Sequence, residues 1–173
     1  RRLGAPEGLA NPVLWSIASA PDGEVWVGGS GGVAAWRDGR FERRVTGAQL
    51  PHPDAYSLLV ERDQAWIGTR AGAAVLRHGR VTVPPALAPL RGAQVNGIVR
   101  DRARRLWFAT TQGLFMLPPG GGAPRHYTAH DGLADTRVRV VHETADGRIL
   151  LGTYRGLYEW RDDRILPLGR QTG

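Results

Sequence analysis

The sequence contains no cysteine, no lysine and a single methionine. Without cysteine there is no disulfide framework, no thiolate zinc site and no cysteine nucleophile. Without lysine there is neither a P-loop phosphate grip nor a Schiff-base catalyst. All 23 basic residues are therefore arginine, against 16 acids, for a formal charge of +7. A basic surplus can mark nucleic-acid or acidic-ligand partners. Here the arginines are spread along the chain, with one cluster at Arg100, Arg102, Arg104 and Arg105. Complete replacement of lysine by arginine reads as genomic composition bias, and no nucleic-acid partner is expected. Long apolar runs are also missing: none approaches the ~18 residues needed to cross a bilayer. The basic start, Arg1-Arg2-Leu3-Gly4, lacks the apolar stretch of a signal peptide. The chain is then cytosolic, or its targeting segment lies elsewhere in a longer protein.

What the sequence does have is repetition, which is best sought before any motif. Four segments align on Trp26, Trp66, Trp107 and Leu150, at intervals of 40, 41 and 43 residues. Six positions after each anchor stands a glycine: Gly32, Gly72, Gly113 and Gly156. Ten positions after it stands a large apolar residue: Trp36, Leu76, Leu117 and Trp160. Upstream, a short apolar strand recurs at Val13 to Ile17, Ala55 to Val60, Val95 to Val99 and Val138 to Val141.

Each copy is punctuated like a β-meander. Asp22-Gly23 and Asp146-Gly147 mark turns between the first and second strands. The six-offset glycine closes a turn into the third strand. Asp38-Gly39, His78-Gly79 and Asp162-Asp163 mark the turn into a fourth strand carrying Phe41, Val81 and Ile165. Four short strands in about 40 residues, without sustained helical periodicity, describe the blades of an all-β propeller. The expected blades span about 12–46, 54–84, 94–128 and 137–168, with 1–11 as the connection from a preceding blade. Small residues are expected where strands crowd: Ser16, Ser57 and Gly97 in the first strand, with Val140 in their place in the last copy, and Gly28, Gly68, Ala109 and Gly152 in the second. The tryptophans are expected as bulk between blade faces, each with an indole N–H that needs a partner.

The run Ala145-Asp146-Gly147-Arg148-Ile149-Leu150-Leu151-Gly152-Thr153-Tyr154-Arg155-Gly156-Leu157 resembles the two-component regulator propeller repeat, apart from Leu150 in place of tryptophan. Asp131-Gly132-Leu133-Ala134-Asp135 and Glu7-Gly8-Leu9-Ala10-Asn11 resemble that family's interblade connection. The departures are Gly29 for threonine, Ala109 for glycine, and a second copy shortened at Arg62-Asp63-Gln64. The resemblance covers about Glu7 to Leu168. It implies the extracytoplasmic, periplasmic sensor of a bacterial membrane receptor whose histidine kinase or diguanylate cyclase module lies outside this stretch. It further implies a fragment of a larger, seven-bladed ring, completed by further blades or by a second copy of the chain.

Chemical motifs are sparse. Gly28-Gly29-Ser30-Gly31-Gly32 spells a nucleophile elbow, but such an elbow needs a strand, a sharp turn and a helix, and Ser30 falls in a hairpin. His142-Glu143 begins a zincin-like pattern that Asp146 breaks. His52, His78, His126 and His130 have no ligand spacing, so neither metal nor cofactor is expected. No catalytic residue is assigned, and the domain is expected not to be an enzyme. Binding is the better prospect, on loops held by a rigid scaffold. The 2→3 turns carry Ser30, Arg70, Gln112, Tyr154 and Arg155, and the start of each first strand carries Trp15, Tyr56, Asn96 and Arg139. These last four align yet differ in chemistry, as ligand-facing positions can and scaffold positions should not. Their aromatic and arginine content suits an anionic or carbohydrate-like ligand. The other reading is a protein-interaction or dimerisation platform without a small ligand.

Overall fold

The computed structural model describes residues 4–9 and 13–169. Arg1-Arg2-Leu3, the Ala10 and Asn11 of the first interblade connection, and Pro12 lie outside them. The chain forms two compact units, the first reaching Val95 and the second beginning at Asn96.

The first unit contains β1 (Leu14–Ser19), β2 (Val25–Gly29), β3 (Gly32–Arg37), β4 (Arg40–Thr46), β5 (Ala55–Val60), β6 (Gln64–Thr69), β7 (Gly72–Arg77) and β8 (Arg80–Thr82). They pair antiparallel in sequence order as two four-stranded sheets, β1–β4 and β5–β8. The second unit takes β9 (Val95–Arg100) from its second residue onward, and β9, β10 (Leu106–Thr110), β11 (Gly113–Leu117) and β12 (Arg125–Tyr127) form one such sheet. The other is built from β13 (Val138–Glu143), β14 (Ile149–Thr153), β15 (Gly156–Arg161) and β16 (Arg164–Pro167). These four meanders are the propeller blades that the repeat predicts, with only short 3-10 turns between them.

Local chemistry explains the register. In three copies the third-to-fourth-strand turn has both central residues at positive φ, as two-residue hairpins of matching twist require; in the third copy a longer segment joins Leu117 to Arg125. Asp38 and Gly39 stand at 48° and 86°, His78 and Gly79 at 49° and 75°. Asp162 and Asp163 do the same at 49° and 62° without glycine, which aspartate tolerates better than most residues. The six-offset glycines sit at φ 122°, 122°, 121° and 138°. A side chain is strongly disfavoured there, so the glycine is fixed by geometry in all four copies.

Packing follows the alternation of each strand. In the first unit Trp26, Val33, Ala35 and Val45 pack against Ala55, Ala65, Ile67, Ala74 and Leu76. In the second, Trp107, Leu114 and Tyr127 pack against Val138, Val141, Ile149, Leu151, Tyr158 and Ile165. Each anchor tryptophan donates its indole N–H to a carboxylate from the turn beneath it. Trp26 reaches Glu24 at 2.6 Å, Trp66 reaches Glu61 at 2.8 Å and Trp107 reaches Asp101 at 2.7 Å. The third of these is sealed by Arg105, whose Nε lies 2.6 Å from Asp101 and whose guanidinium covers Trp160 at 4.4 Å.

The departures from the repeat are compensated locally. In three copies a glycine of the second strand faces a larger residue of the first: Gly28 faces Ser16, Gly68 faces Ser57 and Gly152 faces Val140. In the third copy the small residue has changed strands, so that Gly97 approaches Ala109. Gly29, the residue in place of threonine, has no room for a side chain, because a Cβ there would meet the Val13 carbonyl oxygen at 2.3 Å.

Candidate functional site

Three of the four aligned first-strand positions share a backbone feature that explains their variability. Where β1 pairs with β2, Leu14 lies opposite Gly29 and Ser16 opposite Gly28, which leaves Trp15 as an extra residue. The same slip leaves Tyr56 extra between Ala55 and Ser57, and Arg139 extra between Val138 and Val140. A bulge takes one residue out of the ladder and re-aims its side chain without disturbing the pairs on either side. These residues are therefore released from the packing rule that makes their neighbours uniform.

In the first unit the released residues meet each other. Trp15 and Tyr56 stack with centroids 5.0 Å apart and planes inclined by 13°, and Trp15 remains 48% exposed. The β2–β3 turn lies alongside, with Ser30 bridged to Asp54 and donating its backbone N–H to Val13. Ser30 leads into strand β3, not into the helix that a nucleophile elbow requires. Arg70, in the β6–β7 turn, is exposed.

In the second unit Asn96 donates its side-chain amide to the Val138 carbonyl at 2.8 Å, next to Arg139. The Arg139 guanidinium lies over the Tyr154 ring at 5.5 Å, and Arg137 lies over the same ring at 5.0 Å. Tyr154 itself is 64% exposed. Arg137 is clasped by the buried Asp135, with Nε 3.0 Å from Oδ1 and Nη2 3.3 Å from Oδ2. Hydrogen bonds from the Arg137 side chain and backbone hold the Asp135 carboxyl below its ordinary range, with a smaller contribution from Arg155. Gln112 is exposed, and its carbonyl oxygen lies 2.7 Å from the His126 ring nitrogen.

The turns are built alike. Thr69, Thr110 and Thr153 each hydrogen-bond through the side-chain oxygen to the glycine carbonyl three residues on, and accept the backbone N–H two residues on. That brace holds Arg70, Gln112, Tyr154 and Arg155 on turns of one shape.

Sequence reasoning did not single out Arg137 and Asp135, whose only signal was an Asp-x-Arg ahead of the fourth copy. Two larger clefts lie elsewhere. One of about 520 Å³ in the first unit is lined by Leu50, Ala71, Val83, Leu87 and Arg91. One of about 590 Å³ in the second is lined by Arg125, His130, Asp131, Asp163 and Arg164. Neither cleft includes a bulged residue. In the second cleft Arg125 bridges to Asp131 at 2.6 Å and to Asp163 at 3.6 Å. The arginine cluster on the 100–105 hairpin is likewise engaged internally: Arg102 pairs with Glu143, Arg105 with Asp101, and Arg100 donates to the Arg104 carbonyl.

No family model matches this sequence, and no curated protein sequence matches it. Solved structures do match. The extracellular domain of a protein described as a one-component system from B. thetaiotaomicron aligns with a TM-score of 0.80 at 18% identity, over 96% of this chain and 23% of its own. The extracellular domain of one described as a hybrid two-component system from the same organism gives 0.74 at 20% identity, over 92% and 22%. Virginiamycin B lyase from Staphylococcus aureus gives 0.69 at 14% identity, over 95% and 58%. The chain thus spans about a quarter of the length of the two B. thetaiotaomicron domains. The likeness defines the class by its fold: this is a β-propeller protein, built from the blade type found in those extracellular domains and in the lyase.

Proposed function

We propose that this chain is part of an extracytoplasmic, ligand-sensing propeller of a bacterial membrane receptor. The propeller is not itself catalytic, and its histidine kinase or diguanylate cyclase output lies in the cell interior. The observation that carries the reading is the set of strand-one bulges. A repeated scaffold that keeps the same turn glycine in all four copies releases one first-strand residue in three of them, at Trp15, Tyr56 and Arg139, and fills those places with unlike, ligand-competent side chains. The fold likeness to extracellular domains of signalling systems supports it. The likeness to a lyase does not argue for an enzyme here, because Ser30 runs from turn to strand and the carboxylates of the tryptophan clasps are spent on indole N–H groups.

A second reading has its own observation. The β13–β16 sheet leaves Val140, Leu157 and Leu166 open on one face, at 51%, 46% and 40% exposure. Such a face suits a protein partner or another blade. Titration calorimetry against small anions and sugars, beside sedimentation of the protein alone, separates the two. Saturable heat at constant mass supports the sensor, and a ligand-independent dimer without such heat supports the platform.

A further inference from the structure

The second unit carries an arrangement that the first lacks. At the bulge positions the first unit places two neutral aromatic rings, Trp15 and Tyr56, against each other. The second places a cation, and the groups around it gather more positive charge. Arg137 and Arg139 both lie over the Tyr154 ring, and Arg155 follows Tyr154 in the same braced turn. Among the described residues the carboxylate in contact with them is Asp135, and its two oxygens are taken by Arg137. Three guanidinium groups against one carboxylate leave two positive charges uncompensated.

The geometry also says which groups are at work and which are structural. Arg137 is neutralised and fixed by Asp135, and it in turn helps fix the ring. Arg139 has no carboxylate partner among the described residues, and stacking on Tyr154 occupies its face. A guanidinium stacked by its face keeps its edge of N–H donors directed outward, where a planar or tetrahedral oxyanion is matched in fork geometry. The Asn96 amide, tied to the Val138 carbonyl, fixes the strand edge beside it. Like charges gathered around one ring repel one another, and an anion bound among them relieves that repulsion.

We infer that Arg139, Arg155 and Tyr154 form an oxyanion-binding site that takes a carboxylate, sulfate or phosphate group carried on a sugar-sized ligand. This rests on the sensor reading and deepens it by naming the ligand chemistry of the fourth copy. Arg139 and Arg155 supply the charge, Tyr154 supplies the stacking surface, and Arg137 with Asp135 are positioning residues.

The test titrates the 173-residue protein at low ionic strength with glucose 6-sulfate, glucose 6-phosphate, glucuronate and, as the neutral partner, glucose. Binding of at least one anion, at least ten-fold tighter than glucose and weakening with added salt, is expected. The three anionic arms show whether sulfate, phosphate or carboxylate is preferred. Arg139→Gln and Arg155→Gln should each weaken it about ten-fold, the worth of a charge-assisted hydrogen bond. Arg40→Gln, an exposed arginine of the first unit, should leave it unchanged. All three substitutions are at surface positions, and unchanged thermal unfolding confirms that the variants are folded. Glucose binding as tightly as the anions, anion binding indifferent to Arg139 and Arg155, or no heat from any anion overturns the inference. In each of those cases the sensor reading still stands or falls separately, on receptor output in variants of Trp15 and Tyr56.

Discussion

Gly68→Ala is a small substitution with a large expected effect. A Cβ at this position would stand 2.2 Å from Ser57 Oγ and 2.7 Å from Val95 Cγ1. Neither neighbour is free to yield, since Ser57 is buried and donates its hydroxyl to the Val95 carbonyl at 2.9 Å. Rotating Ser57 away leaves a buried polar pair unmade, at about 1–3 kcal/mol. Displacing Val95 to admit a methyl group costs about 1–3 kcal/mol more. Alanine regains about 0.4–1 kcal/mol by restricting the unfolded chain, so the net loss comes to about 3 kcal/mol. Urea unfolding followed by tryptophan fluorescence measures it. The third copy already shows the remedy, with glycine on the first strand at Gly97 and alanine on the second at Ala109. Ser57→Gly combined with Gly68→Ala removes the first clash, though not the one with Val95. The pair should therefore be more stable than the sum of the two single effects by about 1 kcal/mol or more. A Gly68→Ala protein within about 0.5 kcal/mol of the parent, or strict additivity in the pair, would refute this account of the small-residue positions.

Other perturbations test other parts of the structure. Trp107→Ala should destabilise by about 3–5 kcal/mol. Trp107→Phe should cost less, and Asp101→Ala in that background should cost less than in the parent, because the indole N–H is already gone; thermal melts of the four proteins check this. Gly29→Thr, which installs the threonine that the other three copies carry at Thr69, Thr110 and Thr153, should lower stability, because its Cβ falls 2.3 Å from the Val13 carbonyl oxygen, and an unchanged urea midpoint would contradict that reading. Asp131 is held below the ordinary carboxyl value of 3.8: burial pushes the other way, but the Thr128 backbone N–H and Arg125 outweigh it. A depressed carboxyl contributes stability above its unfolded value and loses it as pH falls through the folded one. The urea midpoint should thus drop between pH 5 and pH 3, and drop less in Asp131→Asn. Tyr127 behaves in the opposite sense, its phenol pushed above the ordinary value of 10.0 by burial and by its hydrogen bond to Asp163. Its contribution is present below pH 10 and lost above, so alkaline unfolding should move to higher pH in Tyr127→Phe.

The fold was legible because its requirements are local and recur. Positive φ at Gly32, Gly72, Gly113 and Gly156 admits almost no other residue, and the Asp-Gly turns announce hairpins directly. The tryptophan clasps were not legible, although each of the three anchor tryptophans has one. Glu24, Glu61 and Asp101 lie at different distances before their tryptophans, because each reaches the indole from its own place in a hairpin of its own length. The variability of Trp15, Tyr56 and Arg139 could be seen in the alignment, but its cause, a one-residue slip in pairing, is a property of two strands at once. The charge around Tyr154 was hidden for a similar reason. Arg137 and Asp135 come from the connection before the strand, and only folding brings them beneath a turn residue.

The central claim is that the residues released by the bulges, and not the uniform blade core, face what the domain detects. The direct measurement is the ligand-stimulated output of a receptor carrying this domain, with Trp15→Ala, Tyr56→Ala and Arg139→Ala introduced together and folding verified by thermal unfolding. The account predicts a folded receptor that no longer responds. A folded receptor whose response is unchanged would contradict it.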